Sequence, residues 1–122
     1  MHFQESKSNA PFFIKAYEPG QLFINNLTLD APVIIFQDQL KTDILPKQIE
    51  DLALEHINII LELRPELILI GTGPHQKFLD HALLQPLADK QIGIEMMNTL
   101  SAARTFNLLR EEGRRVLGVF FL

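Results

Sequence analysis

Chemistry is first thinkable at Gly71-Thr72-Gly73, which follows the apolar run LILI (67–70). Glycines at a strand exit let a phosphate or other anion approach backbone N–H groups. The pattern is neither GxGxxG nor a P-loop, because no Gly-Lys-Ser/Thr follows; the plainer account is a tight strand exit. Downstream, Glu95 interrupts a second apolar run, IGIEMM (92–97). A carboxylate on a buried strand must be ion-paired, protonated or at a ligand. If the two runs are parallel neighbours, Glu95 lies near the Gly71–Gly73 loop, at the carboxyl edge where ligands collect. Asn98 or Thr99 can cap the helix that follows, and the helix start would add anion-binding N–H groups. Gly71, Thr72, Gly73, Glu95, Asn98 and Thr99 therefore outline a candidate crevice for a ligand or a partner. The plainer reading of Glu95 is an ion pair to Arg104 or Arg114.

Other candidates are weaker. His2, His56, His75 and His81 lack metal-ligand spacing and HExxH is absent, so no metal is expected. Ser101 has no neighbouring His or Lys and no GxSxG around it, which leaves capping or solvent contact as its role. No catalytic residue is assigned and no cofactor is expected. Arg104 and Asn107 lie one turn apart on the last helix, and with Arg114 they are either partner-facing or structural. Buried amides are generally satisfied internally, which favours the structural role for Asn107.

The elements that must position these residues follow from periodicity. FFIKAY (12–17) and QLFIN (21–25) flank Glu18-Pro19-Gly20, a hairpin signal. Asn25-Asn26 turns the chain again into LTL (27–29), and VIIFQ (33–37) follows Asp30-Ala31-Pro32. The first third thus reads as an antiparallel β-meander. Residues 38–47 are mixed, and Pro46 bars a helix there. Leu54, Ile57, Ile60 and Leu61 predict an amphipathic helix over 49–63, ended before Pro65. LILI, without alternation, predicts a strand buried on both faces. A short helix is expected over 80–90, with Pro86 arguing for a start near residue 85 or a kink. IGIEMM predicts another buried strand. Ala102, Ala103, Phe106 and Leu109 form the buried stripe of the last helix, and Gly113 suits the left-handed position after its end. VLGVFFL (116–122) is a final strand. Alternation sends Phe120 and Phe121 to opposite faces, so both are core if the strand is central, whereas an edge position would invite strand pairing.

Strands alternating with helices imply βαβ crossovers. The expected fold is a single α/β domain, residues 1–122, of three layers with a mixed central sheet, an N-terminal antiparallel meander and a frayed polar start at 1–10. Length fits one domain: the chain has 122 residues, 47% of them apolar. Nine Phe and no Trp favour dry packing over base stacking. The net charge of −4, with Arg110, Arg114 and Arg115 broken up by Glu111 and Glu112, speaks against nucleic acid; this cluster reads as a solvated helix end. Absence of Cys excludes disulfides and thiol chemistry. No signal-like start and no span-length apolar run are present, so a cytoplasmic protein without stable membrane insertion is expected.

RPELILIGTG (64–73) and GIEMMNTLSAARTFNLLREEGRRV (93–116) together resemble the Mth938-like family of small proteins of largely unassigned function, which includes mitochondrial complex I assembly factor 3 and bacterial relatives. The matching residues are Gly71, Thr72, Gly73, Gly93, Glu95, Thr99, Thr105, Asn107, Leu109, Glu112, Gly113 and Arg114. The resemblance is clear over about 64–120 and weaker through the meander. Asn98 stands where the family usually has Asp; it can still cap a helix, but a role needing a carboxylate there is lost. The resemblance implies a three-layer α/β fold and no established reaction. It suggests a non-enzymatic interaction or assembly module with a protein partner. The alternative is a small-ligand-binding protein or enzyme using the crevice between the Gly71–Gly73 loop and Glu95. A homo-oligomer through an open strand edge is a further expectation.

Overall fold

The computed structural model describes residues 12–122; the expectation for residues 1–10 lies outside the described residues. β1 (Ile14–Glu18), β2 (Gln21–Ile24) and β3 (Leu27–Leu29) form an antiparallel three-stranded sheet. Its turns fall where the sequence places them. Asn25 takes a left-handed φ of 51° and its Oδ1 accepts the Phe13 N–H at 2.9 Å, as a short polar side chain in a turn can.

The second sheet has the order β5-β4-β8-β6-β7. β4 (Val33–Phe36) pairs antiparallel with both β5 (Gln39–Lys41) and β8 (Val116–Phe121). β6 (Leu67–Thr72) runs parallel to β8 and to β7 (Gly93–Met97). The expected mixed sheet and N-terminal meander are both present, with β4 turned into the large sheet. β5 was not anticipated: three residues are too few to show alternation.

Three helices cover the large sheet: α1 (Leu54–Leu63), α2 (His81–Asp89) and α3 (Thr99–Glu111). The expected helix over 49–63 is split into a 3-10 turn, Ile49–Asp51, and α1. His56 Nδ1 accepts the Ala53 N–H at 2.8 Å and so closes the first turn of α1. Pro86 does not delay α2, which begins at His81 with Asp80 Oδ1 accepting the Ala82 N–H at 3.1 Å. The carbonyl that Pro86 leaves unbonded belongs to the exposed Ala82, where water can serve it. α3 is capped by Asn98 Oδ1 on the Ser101 N–H at 2.9 Å.

The core has two halves on either side of the large sheet. Ile34, Phe36, Ile68, Ile70, Leu117, Val119 and Phe121 pack under α1 and α2 with Ile57, Ile60 and Leu87. Val33, Ile35, Leu69 and Phe120 pack on the other face against Ala102, Ala103 and Phe106 of α3, and against Leu22 and Ile24 of the small sheet. Three layers result: α1 and α2, then the large sheet, then α3 with the small sheet. β8 is central, so Phe120 and Phe121 are both core, 0% and 3% exposed. β7, expected to be buried, is instead an edge strand with Gly93 and Glu95 exposed. Its apolar residues Ile94 and Met96 are only half-buried, against the α1–α2 half of the core.

Candidate functional site

β6 hands the chain to α2 on one face and β7 hands it to α3 on the other. Between their carboxyl ends lies the place where open α/β sheets hold ligands. Gly71, Thr72, Gly73, Asn98 and Thr99 do meet there. Gly71 and Thr72 belong to β6 itself rather than to a loop.

The meeting is tight. Thr99 and Thr72 are the buried polar residues among those described. Thr99 Oγ1 accepts the Gly73 N–H at 2.7 Å and donates to the Phe121 carbonyl at 2.5 Å, while the Thr99 N–H donates to the Gly73 carbonyl at 2.8 Å. Thr72 Oγ1 donates to the His75 carbonyl at 2.7 Å and accepts the Lys77 N–H at 3.1 Å, with the Met97 carbonyl 3.3 Å away. Gly71 is needed for closeness: a Cβ there would come within 2.8 Å of Thr99 Oγ1 and 3.1 Å of Thr99 Cα. The N–H groups of Gly73 and Ser101 that could have met an anion are taken by Thr99 and Asn98. This junction ties three strand ends to the start of α3 with the protein's own groups.

Glu95 stands apart from it. It is level with Leu69 on β6, exposed, on the α3 side of the edge strand. The expected buried carboxylate is not found, because β7 has no strand beyond it among the described residues. Nor does Glu95 pair with Arg104 or Arg114. Arg114 Nε donates to Glu66 Oε2 at 2.7 Å, and Arg104 is exposed on α3. The backbone N–H of Arg115 and the Arg114 guanidinium hold the Glu66 carboxyl below the usual glutamate range.

Asn107 is a clasp between layers. Its Oδ1 accepts the Ile14 N–H at 3.2 Å and its Nδ2 donates to the Ile14 carbonyl at 2.8 Å, so one side chain serves both polar groups of a β1 residue. Arg110 does similar work, and the sequence did not single it out. Its guanidinium donates to the carbonyls of Phe12 (3.0 Å) and Gln37 (2.8 Å) and lies 5.2 Å from the Phe106 ring centre. Burial lowers its pKa from the ordinary arginine value. The reading of Arg110, Arg114 and Arg115 as a solvated helix end is corrected for Arg110, which is half-buried; Arg114 and Arg115 are exposed, though Arg115 lies 5.2 Å from the Phe36 ring centre and donates to the Arg64 carbonyl. The available signal was Phe106–Arg110 spacing, one helical turn, which sets a cation over a ring.

The hollows among the described residues include three open ones. One of about 370 Å³ runs between α2 and β7, lined by Leu79, Leu84, Ile94, Glu95 and Met96 among others. One of about 490 Å³ lies by Arg64, Pro65 and Lys90, and one of about 210 Å³ by Lys15, Arg104 and Asn107. Of the expected crevice residues, only Glu95 lines any of the three. No group of His, Asp and Glu able to hold a metal occurs among the described residues. No helix among them is long and apolar enough to cross a membrane.

A family model described as "Protein of unknown function (DUF498/DUF598)" matches residues 14–121. The chain belongs to this family, the Mth938-like family to which its motifs pointed. It is 32% identical over 117 residues to the "13 kDa major membrane protein" of Francisella tularensis subsp. holarctica, covering 95% of each chain. It is 38% identical over 55 residues to the human NADH dehydrogenase [ubiquinone] 1 alpha subcomplex assembly factor 3, a match spanning 45% of this chain and 30% of that protein. A solved protein of Xanthomonas campestris superposes with a TM-score of 0.84 at 31% identity, covering 90% of this chain and 83% of that one. A Bordetella pertussis protein described as a Mth938-like domain shares the fold, with a TM-score of 0.78 at 24% identity over 93% and 87% of the two chains.

Proposed function

We propose that this chain is a non-enzymatic interaction or assembly module that works by binding another protein, in the cytoplasm or at the cytoplasmic side of a membrane. One observation carries the reading. The junction of β6, β7 and α3, where a ligand-binding α/β protein keeps an opening, is occupied by the hydroxyls of Thr72 and Thr99. Of the polar groups that the sequence nominates for chemistry, those of Thr72, Gly73, Asn98 and Thr99 are spent on holding strand ends, a loop and a helix start together, and Glu95 stands apart. Relatives named for complex assembly and for membrane residence support partners of that kind.

Affinity capture from native extract at low salt tests this. The expected result is a recovered protein partner, with the bait in the soluble fraction or released from membranes by a carbonate wash. Recovery of a small molecule and no protein would replace the reading with the ligand-binding alternative. In that event Gly73→Val and Glu95→Gln should abolish ligand retention; if instead a protein is recovered and both variants fold and keep it, the junction is structural.

A further inference from the structure

Among the described residues the large sheet ends at β7, with no strand beyond it. The Gly93 N–H points inward, donating to the Glu66 carbonyl at 3.3 Å, whereas the Met96 carbonyl points outward and accepts from Gln76 Nε2 at 3.3 Å. The strand period of two then turns the N–H and C=O of Ile94 outward with those of Met96. Alongside this edge, α2 leaves the groove of about 370 Å³, walled by Leu79, Leu84, Ala88, Ile94 and Met96. Phe78, at its mouth, is 80% exposed, the most exposed large apolar residue among those described. A strand edge met only by the Gln76 side chain among the described residues, an apolar trough beside it and a bare aromatic coincide.

Charge decides what fits. Glu95 is the only carboxylate lining the groove, stands between Ile94 and Met96 on the other face of the strand, and has no ion pair among the described residues. A second copy joined edge to edge about a two-fold axis at the centre of β7 would oppose Glu95 to its own equivalent, a like-charge pair that destabilises pairing. A basic residue at that place is favoured instead. We infer that β7 takes up an extended segment of a partner protein by strand addition, with the local pattern apolar–basic–apolar. The basic side chain faces Glu95 and the flanking apolar side chains enter the groove on the α2 side. This rests on the interaction reading above and gives that partner its chemistry and its place.

Amide NMR of the full chain with two blocked peptides tests it: one alternating leucine with lysine, the other alternating leucine with glutamate. The lysine peptide should shift the amide signals of Ile94, Glu95 and Met96 and of α2, with a Kd roughly two- to fivefold below that of the glutamate peptide, the worth of one exposed cross-strand charge pair. Glu95→Lys, at an exposed position, should keep the fold and invert the preference. No shift at β7, a preference untouched by Glu95→Lys, or β7 signals that move with protein concentration alone would each overturn the inference, the last by giving the edge to a second copy. Capture from extract separates its failure from that of the interaction reading. A partner retained by both Glu95→Lys and Phe78→Ser leaves the interaction reading standing and removes the edge. A parent chain that captures nothing removes both.

Discussion

Thr99 accounts for more of the site than any other single side chain. Its hydroxyl serves Gly73 and Phe121 from a fully buried position. Thr99→Val keeps the shape but leaves a buried N–H and a buried carbonyl unpaired, at about 2 to 4 kcal/mol for the two. Thr99→Ser keeps the hydroxyl and should lose only about 0.8 kcal/mol with the methyl group. Urea unfolding of the three proteins checks this; a valine variant as stable as the parent would mean the hydroxyl is not holding the strand ends. Glu66 gives a pH dependence. Its carboxyl is held low by the Arg115 N–H and the Arg114 guanidinium, so its stabilising effect is present above the ordinary glutamate value and is lost as pH falls through the lowered one. Stability should therefore fall less steeply in acid for Glu66→Gln than for the parent, measured by denaturant midpoint against pH. The sequence made Thr99 visible as a possible cap, yet the cap is Asn98 and Thr99 faces inward. Asn107 and Arg110 were legible as polar residues on a helix, but not by role. Asn107 meets Ile14, 93 positions away, and Arg110 meets Phe12 and Gln37, 98 and 73 away; local spacing carries no trace of such partners.

At the scale of elements, α3 is the part everything else leans on, packing on the large sheet and clasping the small one through Asn107. Its end is well specified. The Gly113 N–H donates to the Arg110 carbonyl at 3.0 Å and the Arg114 N–H to the Leu109 carbonyl at 3.1 Å, with Gly113 at φ 80°, the bond pattern of a Schellman motif. Gly113→Ala should cost about 1 kcal/mol, because a Cβ disfavours the left-handed conformation and nothing else crowds the site. Thermal unfolding reads it, and a neutral result would show that the helix can end another way. This element was legible in advance because its apolar stripe, its cap and its terminal glycine agree with one another. β7 was not. LILI and IGIEMM look alike as short apolar runs, but one lies between two strands and the other is the last strand of the sheet among the described residues. Which strand is central depends on how far each crossover carries the chain, and the length of an apolar run is silent on that. Gly71 reads two ways for a related reason: a glycine that lets a helix approach, as this one does, looks in sequence like one that lets a phosphate approach.

For the whole molecule, the placement of β8 governs how the chain can associate. VLGVFFL lies between β4 and β6, paired on both sides, so its backbone offers nothing to a second copy. Among the described residues the outer strands of the large sheet are β5 and β7, and those of the small sheet β1, which Asn107 clasps, and β3. Phe121 packs under α1 and α2, and Phe120 meets Phe106 edge to face at 5.3 Å between ring centres. Phe121→Ser removes a buried ring and leaves a hydroxyl in its place, so it should lower stability by about 3 to 5 kcal/mol. Phe121→Leu, nearer in volume and apolar, should cost less than about 1.5 kcal/mol. Neither should alter the sedimentation coefficient of folded protein at any concentration, since the ring touches only the interior. If β8 were in truth an exposed pairing strand, the parent would sediment as a concentration-dependent oligomer, and the serine variant would run as a folded monomer. Measuring all three proteins across a range of concentrations, beside their unfolding midpoints, separates the two outcomes. A loss of stability with unchanged association places both phenylalanines in the core and leaves recognition to edges such as β7.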